Sequence, residues 1–271
     1  MIFMATPDTR KDRTGTQAIQ RCAALLRLIT TFNRNGMRLV DLYSNAGLTR
    51  PTAHRLLQAL VAEGFVRQDD RSKRYFLGSL TYEMGVAAAA PYTYDLRDTC
   101  VPYLRQVADA TGDTVFLTVR SGLDGVCIAR AEGAFPIKVF VLDVGRRRPL
   151  NIGGGATAIL SALPDDEIRR ICLANKERTE RDYPRYDWDE LQRRITRARE
   201  QGYLENEVLE VESVRSIAVP ILDPHGRPLG AVSISALSSR LRGQALADKV
   251  GELQRAVRAI EAKLREHVAE D

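Results

Sequence analysis

The sequence predicts an α+β chain in two parts. An N-terminal winged helix-turn-helix is followed by a C-terminal domain with a largely antiparallel sheet covered by helices. Three observations carry this reading. Residues 38–78 read in order as short helix, glycine turn, cationic helix and basic hairpin. Positive charge is concentrated there: residues 1–90 hold 13 Lys and Arg against 7 Asp and Glu, whereas residues 91–271 hold 27 against 28. Beyond Pro91, two hairpin signals stand among amphipathic helical stretches without the strand–helix–strand succession that builds a parallel sheet.

Taken in order, residues 1–14 are expected to form a disordered arm, and residues 16–32 an opening helix with Cys22, Leu25, Leu26 and Ile29 on one face. Residues 38–46 make a short helix closed by Gly47, which tolerates the left-handed conformation at a helix end. Thr49 is placed to cap the next helix, with Pro51 in its first turn, where a missing N–H costs nothing. Along that helix Ala53, Leu56, Leu57, Leu60 and Val61 recur at i, i+3, i+4, i+7 and i+8, one buried stripe. The opposite face carries Arg50, Thr52, His54, Arg55 and Gln58, side chains that reach phosphates and base edges. Residues 65–67 and 75–77 read as two short strands. The turn between them carries Arg71, Lys73 and Arg74. A helix laid against another with a basic hairpin beside it suits the DNA major groove, so double-stranded DNA is the expected partner. The competing reading is an ordinary amphipathic packing domain with solvated charges. The ordered set of four elements is rarer than any one of them.

Residues 79–90 read as a connecting helix that Pro91 ends, and 96–111 as an amphipathic helix with Leu96, Val101, Leu104, Val107 and Ala108 inward. Residues 114–120 and 126–130 pair as a hairpin, and 137–142 are expected as a third strand. Helices follow over 154–162, 165–174 and 188–201. Residues 216–222 and 229–235 flank a turn at 223–226, a second hairpin. A final helix carries Leu246, Val250, Leu253, Val257, Ile260 and Leu264 on one seam. The resulting expectation is a winged helix-turn-helix over 15–78, a linker helix over 79–95 and a ligand-sensing domain over 96–268.

Composition excludes several classes. At 271 residues and 44% apolar content the chain can build two cores. No run approaches the ~20 apolar residues of a membrane span, and the first four residues are too short for a signal-peptide core, so the cytoplasm is expected. Cys22, Cys100, Cys127 and Cys172 are dispersed in apolar contexts and expected as buried free thiols. His54, His225 and His267 are scattered, so neither a metal nor another cofactor is expected. Gly153–Gly155 before a helix could cradle an anion. It matches no nucleotide-binding motif, and no nucleophile elbow or paired His/Asp set appears. No catalytic residue is therefore expected. An enzyme with an appended DNA-binding domain, acting on a small carboxylate, and a protein-binding adapter are the alternatives.

Nearly the whole chain, residues 16–268, resembles the IclR family of bacterial transcriptional regulators. The blocks are LTRPTAHRLLQAL at 48–60, YFLG at 75–78, VGRRRPL at 144–150, GGGATA at 153–158, GY at 202–203, RSIAVP at 215–220 and GAVSIS at 230–235. The resemblance implies a winged helix-turn-helix, a linker helix and a GAF/PAS-like effector domain. It also implies palindromic operators, dimers through the N-terminal domain that often form tetramers, and small organic acids or aromatic catabolites as effectors. Repressor and activator, dimer and tetramer, stay open. Carried over position by position, Asn206, Ser216, Ser233 and Ser235 line the polar end of an effector pocket. Gly154 supplies backbone beside it, and Ile137, Phe140 and Val214 form the apolar wall. Asn206 stands where an acid is common and Ser216 where Cys is common. An amide and three hydroxyls can bind a carboxylate without a repelling charge. The i, i+2 spacing puts Ser233 and Ser235 on one face of their strand, either toward the pocket or toward solvent.

Overall fold

The computed structural model describes residues 14–33, 35–87, 91–139 and 142–269. The arm expected over 1–14 lies outside these residues, apart from Thr14. The chain separates into two compact units that divide at Ala88 and Ala89.

The first unit holds α1 (Thr14–Thr31), α2 (Leu39–Asn45), α3 (Arg50–Ala62), β1 (Val66–Gln68), β2 (Tyr75–Leu77) and α4 (Ser79–Ala87). Its core joins Leu25 and Ile29 of α1 to Leu42 of α2, Leu56, Leu57 and Leu60 of α3, and Val66 and Tyr75 of the hairpin. The stripe read from the sequence is the one that faces inward, with Val61 at its half-buried margin. Gly47 has φ of 63°, which lets the chain reverse between α2 and α3. Thr49 stands at the N-cap of α3 but does not cap it in the expected way. Its hydroxyl donates to Thr52 Oγ1 at 2.9 Å, not accepting from the helix backbone. The linker helix is described as far as Ala87, and residues 88–90 of the expected connecting helix lie outside the described residues. Pro91 opens the next helix and does not merely end this one, as its fixed φ and missing N–H allow in a first turn.

The second unit is a six-stranded antiparallel sheet with helices on both faces. Its strands are β3 (Thr114–Ser121), β4 (Asp124–Glu132), β5 (Arg147–Pro149), β6 (Leu204–Glu207), β7 (Val214–Leu222) and β8 (Pro228–Leu237), in the order β5-β4-β3-β8-β7-β6. Helices α5 (Pro91–Thr111) and α10 (Gly243–Ala269) cover one face. There Leu104 and Val107 meet Val115, Ile217, Val232 and Ile234, and the α10 seam of Leu253, Val257 and Ile260 closes the core. Helices α6 (Gly154–Ser161), α7 (Asp165–Ala174) and α9 (Trp188–Gln201) pack the other face around Ile159, Leu160, Ile171 and Leu191. The strand register follows from this: the β7 and β8 residues that alternate with the apolar set must point toward α6. Helix α9 shows how locally its ends are set. Asp187 accepts from the Glu190 N–H at 2.7 Å, and Gly202 takes the left-handed conformation that ends the helix.

The strand expected over 137–142 does not form among the described residues of that span. Residues 137–139 and 142 are irregular, 140 and 141 lie outside the described residues, and Ile137 is exposed. The edge position beside β4 is taken by Arg147–Pro149, whose Arg147 ties to Asp124 at 3.1 Å and to the Ser121 carbonyl at 3.1 Å. A short strand anchored by side-chain bonds displaces the more apolar candidate. Helix α8 (Lys176–Asp182) and strand β6 are further elements not anticipated. Among the described residues no helix is long and apolar enough to cross a membrane.

One polar knot crosses the apolar face. Asp113, buried at the start of β3, accepts from Arg240 Nε at 2.8 Å and pairs with the buried Lys249 of α10. Arg240 also donates to the Thr111 carbonyl at 2.9 Å and lies 3.8 Å over the Phe135 ring. Two cations share one buried carboxylate, so its removal leaves both without an anion. Asp113→Ala is expected to cost about 3–5 kcal/mol in urea unfolding. A loss under about 1 kcal/mol, the range of an exposed pair, would contradict this account.

Candidate DNA-binding and effector sites

Helix α3 turns its apolar stripe inward, which leaves Arg50, His54, Arg55 and Gln58 exposed and Thr52 half-exposed on the outer face. Arg50, His54 and Arg55 lie within about a turn and a half at the N-terminal end of the helix, the part that reaches base edges in a groove-binding helix. Burial pushes the Tyr75 phenol above its usual range, and the nearby Gln58 amide opposes that rise.

The hairpin β1–β2 is antiparallel, with Val66 opposite Leu77 and Gln68 opposite Tyr75. Asp69 shapes its turn by accepting from the Ser72 N–H at 2.7 Å and the Ser72 hydroxyl at 2.6 Å, and these bonds hold its carboxyl below the usual range. Lys73 takes a positive φ of 54° at the turn. Arg71 and Lys73 project into solvent. Arg74 does not. Its Nη1 donates to the Gly36 carbonyl at 2.8 Å, pinning the wing to the loop after α1. The sequence places these three cations together, whereas the structure separates them into two outward charges and one anchor.

In the second unit the antiparallel register lines up the polar residues. Asn206 of β6 stands opposite Ser216 of β7, which stands opposite Ser235 of β8. One step along, Ala218, Ser233 and Phe116 form the next row. All four polar side chains are buried. Ser216, Ser233 and Ser235 line a small cavity of about 30 Å³, together with Phe116 and Thr118 of β3, Gly153–Gly155 at the N-terminus of α6, and Arg148, Ile152, Val208 and Glu210. The backbone of α6 approaches the strands closely. A Cβ on Gly154 would lie 2.4 Å from Ser216 Oγ, and one on Gly155 would lie 2.6 Å from Thr118 Oγ1. The glycines are therefore a condition for the hydroxyls and the helix N-terminus to share one cavity.

Other expected pocket residues are placed elsewhere. Asn206 stands one step behind the cavity. Its Oδ1 accepts from Arg194 Nη1 and its Nδ2 donates to Ser216 Oγ at 3.4 Å. Because Arg194 can only donate, the amide orientation is determined, and the NH2 group is directed at the serine. Val214 packs with Val139, Val208 and Leu237, and reaches the cavity only through Val208. Ile137 is 56% exposed and does not line it. Phe140 lies outside the described residues.

The sequence reading missed the charged pair at the cavity wall. Arg148, with a side chain only 8% exposed, bonds Glu210 at 2.8 Å. Burial pulls its guanidinium below the usual range, against the opposing pull of Glu210. A signal was present: where the run of arginines enters a strand at Arg147, alternation turns Arg148 to the opposite side. The cysteines take no part in this chemistry. Burial pushes the Cys100 and Cys127 thiols up to about 12 and Cys172 to about 11. Among the described residues no cluster of His, Cys, Asp and Glu could hold a metal.

A helix-turn-helix with an outward cationic helix and a separate α+β unit with an internal polar cavity have the build of a transcription regulator. Residues 18–70 match the IclR helix-turn-helix domain, and residues 89–262 match the bacterial transcriptional regulator IclR C-terminal domain. The chain belongs to the IclR family of bacterial transcriptional regulators. It is 31% identical to the glycerol operon regulatory protein of Streptomyces coelicolor over 250 residues, 92% of this chain and 96% of that one. It is 26% identical to the HTH-type transcriptional regulator XynR of Escherichia coli K12 over 248 residues, 91% and 97% of the two chains. Its fold matches the crystal structure of an IclR homologue complexed with 4-hydroxybenzoate from Microbacterium hydrocarbonoxydans. The TM-score is 0.72 at 21% identity, over 92% of this chain and 99% of that one. The matched domains and the named relatives are those of transcriptional regulators and not of enzymes, which removes the enzyme alternative.

The two roles found in the wing are separable. Arg71→Ala with Lys73→Ala should weaken binding to all DNA sequences alike and reduce the salt slope of binding by about 1–2, with no change in melting temperature. Arg74→Ala should lower the melting temperature. Identical behaviour of the two variants would refute the separation.

Proposed function

We propose that the chain is a ligand-responsive regulator that reads a palindromic operator with Arg50, Thr52, His54, Arg55 and Gln58 of α3, steadied on phosphates by Arg71 and Lys73. Arg74 acts by holding the wing in place. One helix of this length covers few base pairs, so a two-fold dimer supplies the second half-site. Exposed Ile19 and Phe32 of the α1 region and Tyr82 and Met84 of α4 support a dimer surface on the N-terminal unit, from which a tetramer can be built. The effector is a small organic acid, aromatic ones included, held at Ser216, Ser233 and Ser235 and the N-terminus of α6. Asn206 acts from behind Ser216.

The observation that carries the effector reading is the alignment of three buried serines on one cavity beneath a helix N-terminus. Hydroxyl donors and the positive end of a helix favour an anion without a formal counter-charge of their own. The bound 4-hydroxybenzoate of the Microbacterium homologue supports an acid of this class. As it stands the cavity has room for about two waters and not for a ring, since a benzene-sized guest needs about 150 Å³. Binding therefore requires the wall to open.

Two experiments test the reading. Arg55→Ala should keep the fold and lose about 1–3 kcal/mol of specific operator affinity, relaxing preference at one base pair. Unchanged affinity would remove Arg55 from the interface. In a thermal-shift screen of carboxylates and their amides, acids should stabilise the wild type and lose most of that effect in the Ser233→Ala/Ser235→Ala variant. Equal stabilisation of both proteins would place the effector elsewhere, and a response to amides alone would exclude the acid.

A further inference from the structure

The wall of the cavity contains a charged pair that the serine site does not explain. Arg148 projects from β5 into the buried interior, beside Gly153 and the phenol of Tyr183. Burying a guanidinium requires an anion near it. Glu210 supplies one across 2.8 Å, from a turn and not from the sheet. The turn follows β6, includes Ser213 at a positive φ of 59°, and leaves the Glu210 side chain one-third exposed. Every other polar group at the cavity sits on a strand or on the first turn of α6, held by the sheet register and by the glycine contacts. Glu210 is thus the described polar wall group that no strand or helix holds, and its carboxylate occupies the position a ligand carboxylate would need beside Arg148.

We propose that Arg148 is the acid-recognising cation of this cavity and that Glu210 is an internal stand-in for the ligand, displaced toward solvent when a carboxylate enters. This rests on the reading of the cavity as the effector site and adds to it a charge selector and a gate. Three consequences agree with the geometry. Exchange of one carboxylate for another keeps Arg148 paired throughout, so no state leaves a buried charge uncompensated. Departure of the Glu210 side chain supplies volume that the closed cavity lacks. The Glu210 carboxylate, once released, gains full hydration, so the exchange favours an acid that is better held by Arg148 and the serines together than Glu210 is by Arg148 alone. An amide cannot take the place of Glu210, because a neutral group does not replace the negative charge and the charge-assisted bond that the carboxylate gives the guanidinium.

The exchange can be tested without knowing the natural effector, by chemical rescue. Glu210→Ala vacates the side chain from a partly exposed turn, so the fold should survive with a lower melting temperature. Acetate at tens of millimolar should recover at least half of that loss. Acetamide with matching sodium chloride should recover none, and the wild type should shift much less with acetate. The Glu210→Ala/Arg148→Met variant should show no acetate response. The proposal is overturned if Glu210→Ala melts like wild type, if acetate and acetamide act alike, if acetate does not rescue, or if rescue persists without Arg148. If the double variant does not fold, the difference between acetate and acetamide on Glu210→Ala alone decides. The readout uses neither DNA nor the serine variants. A failed rescue with an intact serine dependence removes the gate alone, and a successful rescue with no serine dependence removes the effector reading instead.

Discussion

The period-two alternation of a sheet packed on both faces is the constraint from which the second unit follows. In β7 and β8, Ile217, Val219, Val232 and Ile234 are held against α5 and α10, so Ser216, Ala218, Ala231, Ser233 and Ser235 have to face α6. A slip of one residue would bury the serines under the long helices and expose the apolar set, which is why the register is strongly specified. The small side chains on the α6 face then allow that helix to come close. The helix can come close only with glycine at 154 and 155. Cavity, hydroxyls and helix N-terminus are one consequence of this pairing, not three separate features.

Two buried ion clusters in the same unit show how backbone context decides what a charge does. Asp113 is bound by Lys249 and Arg240 from different parts of the chain, with Phe135 beneath the guanidinium. Its partners come from the long C-terminal helix and the short turn before it, and Asp113 itself directly precedes the first paired residue of β3. Loss of the carboxylate strands both cations at once, so the cluster acts as a lock between the sheet and its helical cover. Arg148 is equally buried, but its acid comes from an irregular turn with a path to water. The chemistry is the same and the backbone context differs, which suits the first to stability and the second to the proposed exchange.

Much of the fold was legible because strong local signals agreed with the tertiary structure. The stripe of α3, the limits of α7 and α9, and the seam of α10 were all readable from spacing, since each buries one face of a helix against a large neighbour. Residues 137–142 misled for the opposite reason. Their apolar content resembles a strand, but a strand needs a partner edge, and that edge is filled by Arg147–Pro149 through bonds from Arg147 to Asp124 and Ser121. Short β6, whose two buried positions are the apolar Leu204 and the polar Asn206, carries too little pattern to be seen without β7 beside it. At the site, spacing put Ser233 and Ser235 on one face but could not say which, because the answer depends on what packs on each side. The offset of Asn206 behind Ser216 and the inward turn of Arg148 depend on side-chain partners, Arg194 and Glu210, that are distant in sequence. Those long-range pairings are what the sequence could not display.

The proposed function requires that occupancy of the cavity and binding of the operator be coupled in one chain. Coupling between two ligands is reciprocal, so it can be measured from both ends. The measurement is the Kd for an operator fragment with and without saturating amounts of an acid that stabilises the wild type but not the serine variant. It is paired with the Kd for that acid with and without the operator. The account predicts the same factor in both directions, about 5–150-fold. An operator affinity that does not move at full occupancy of the cavity would contradict it.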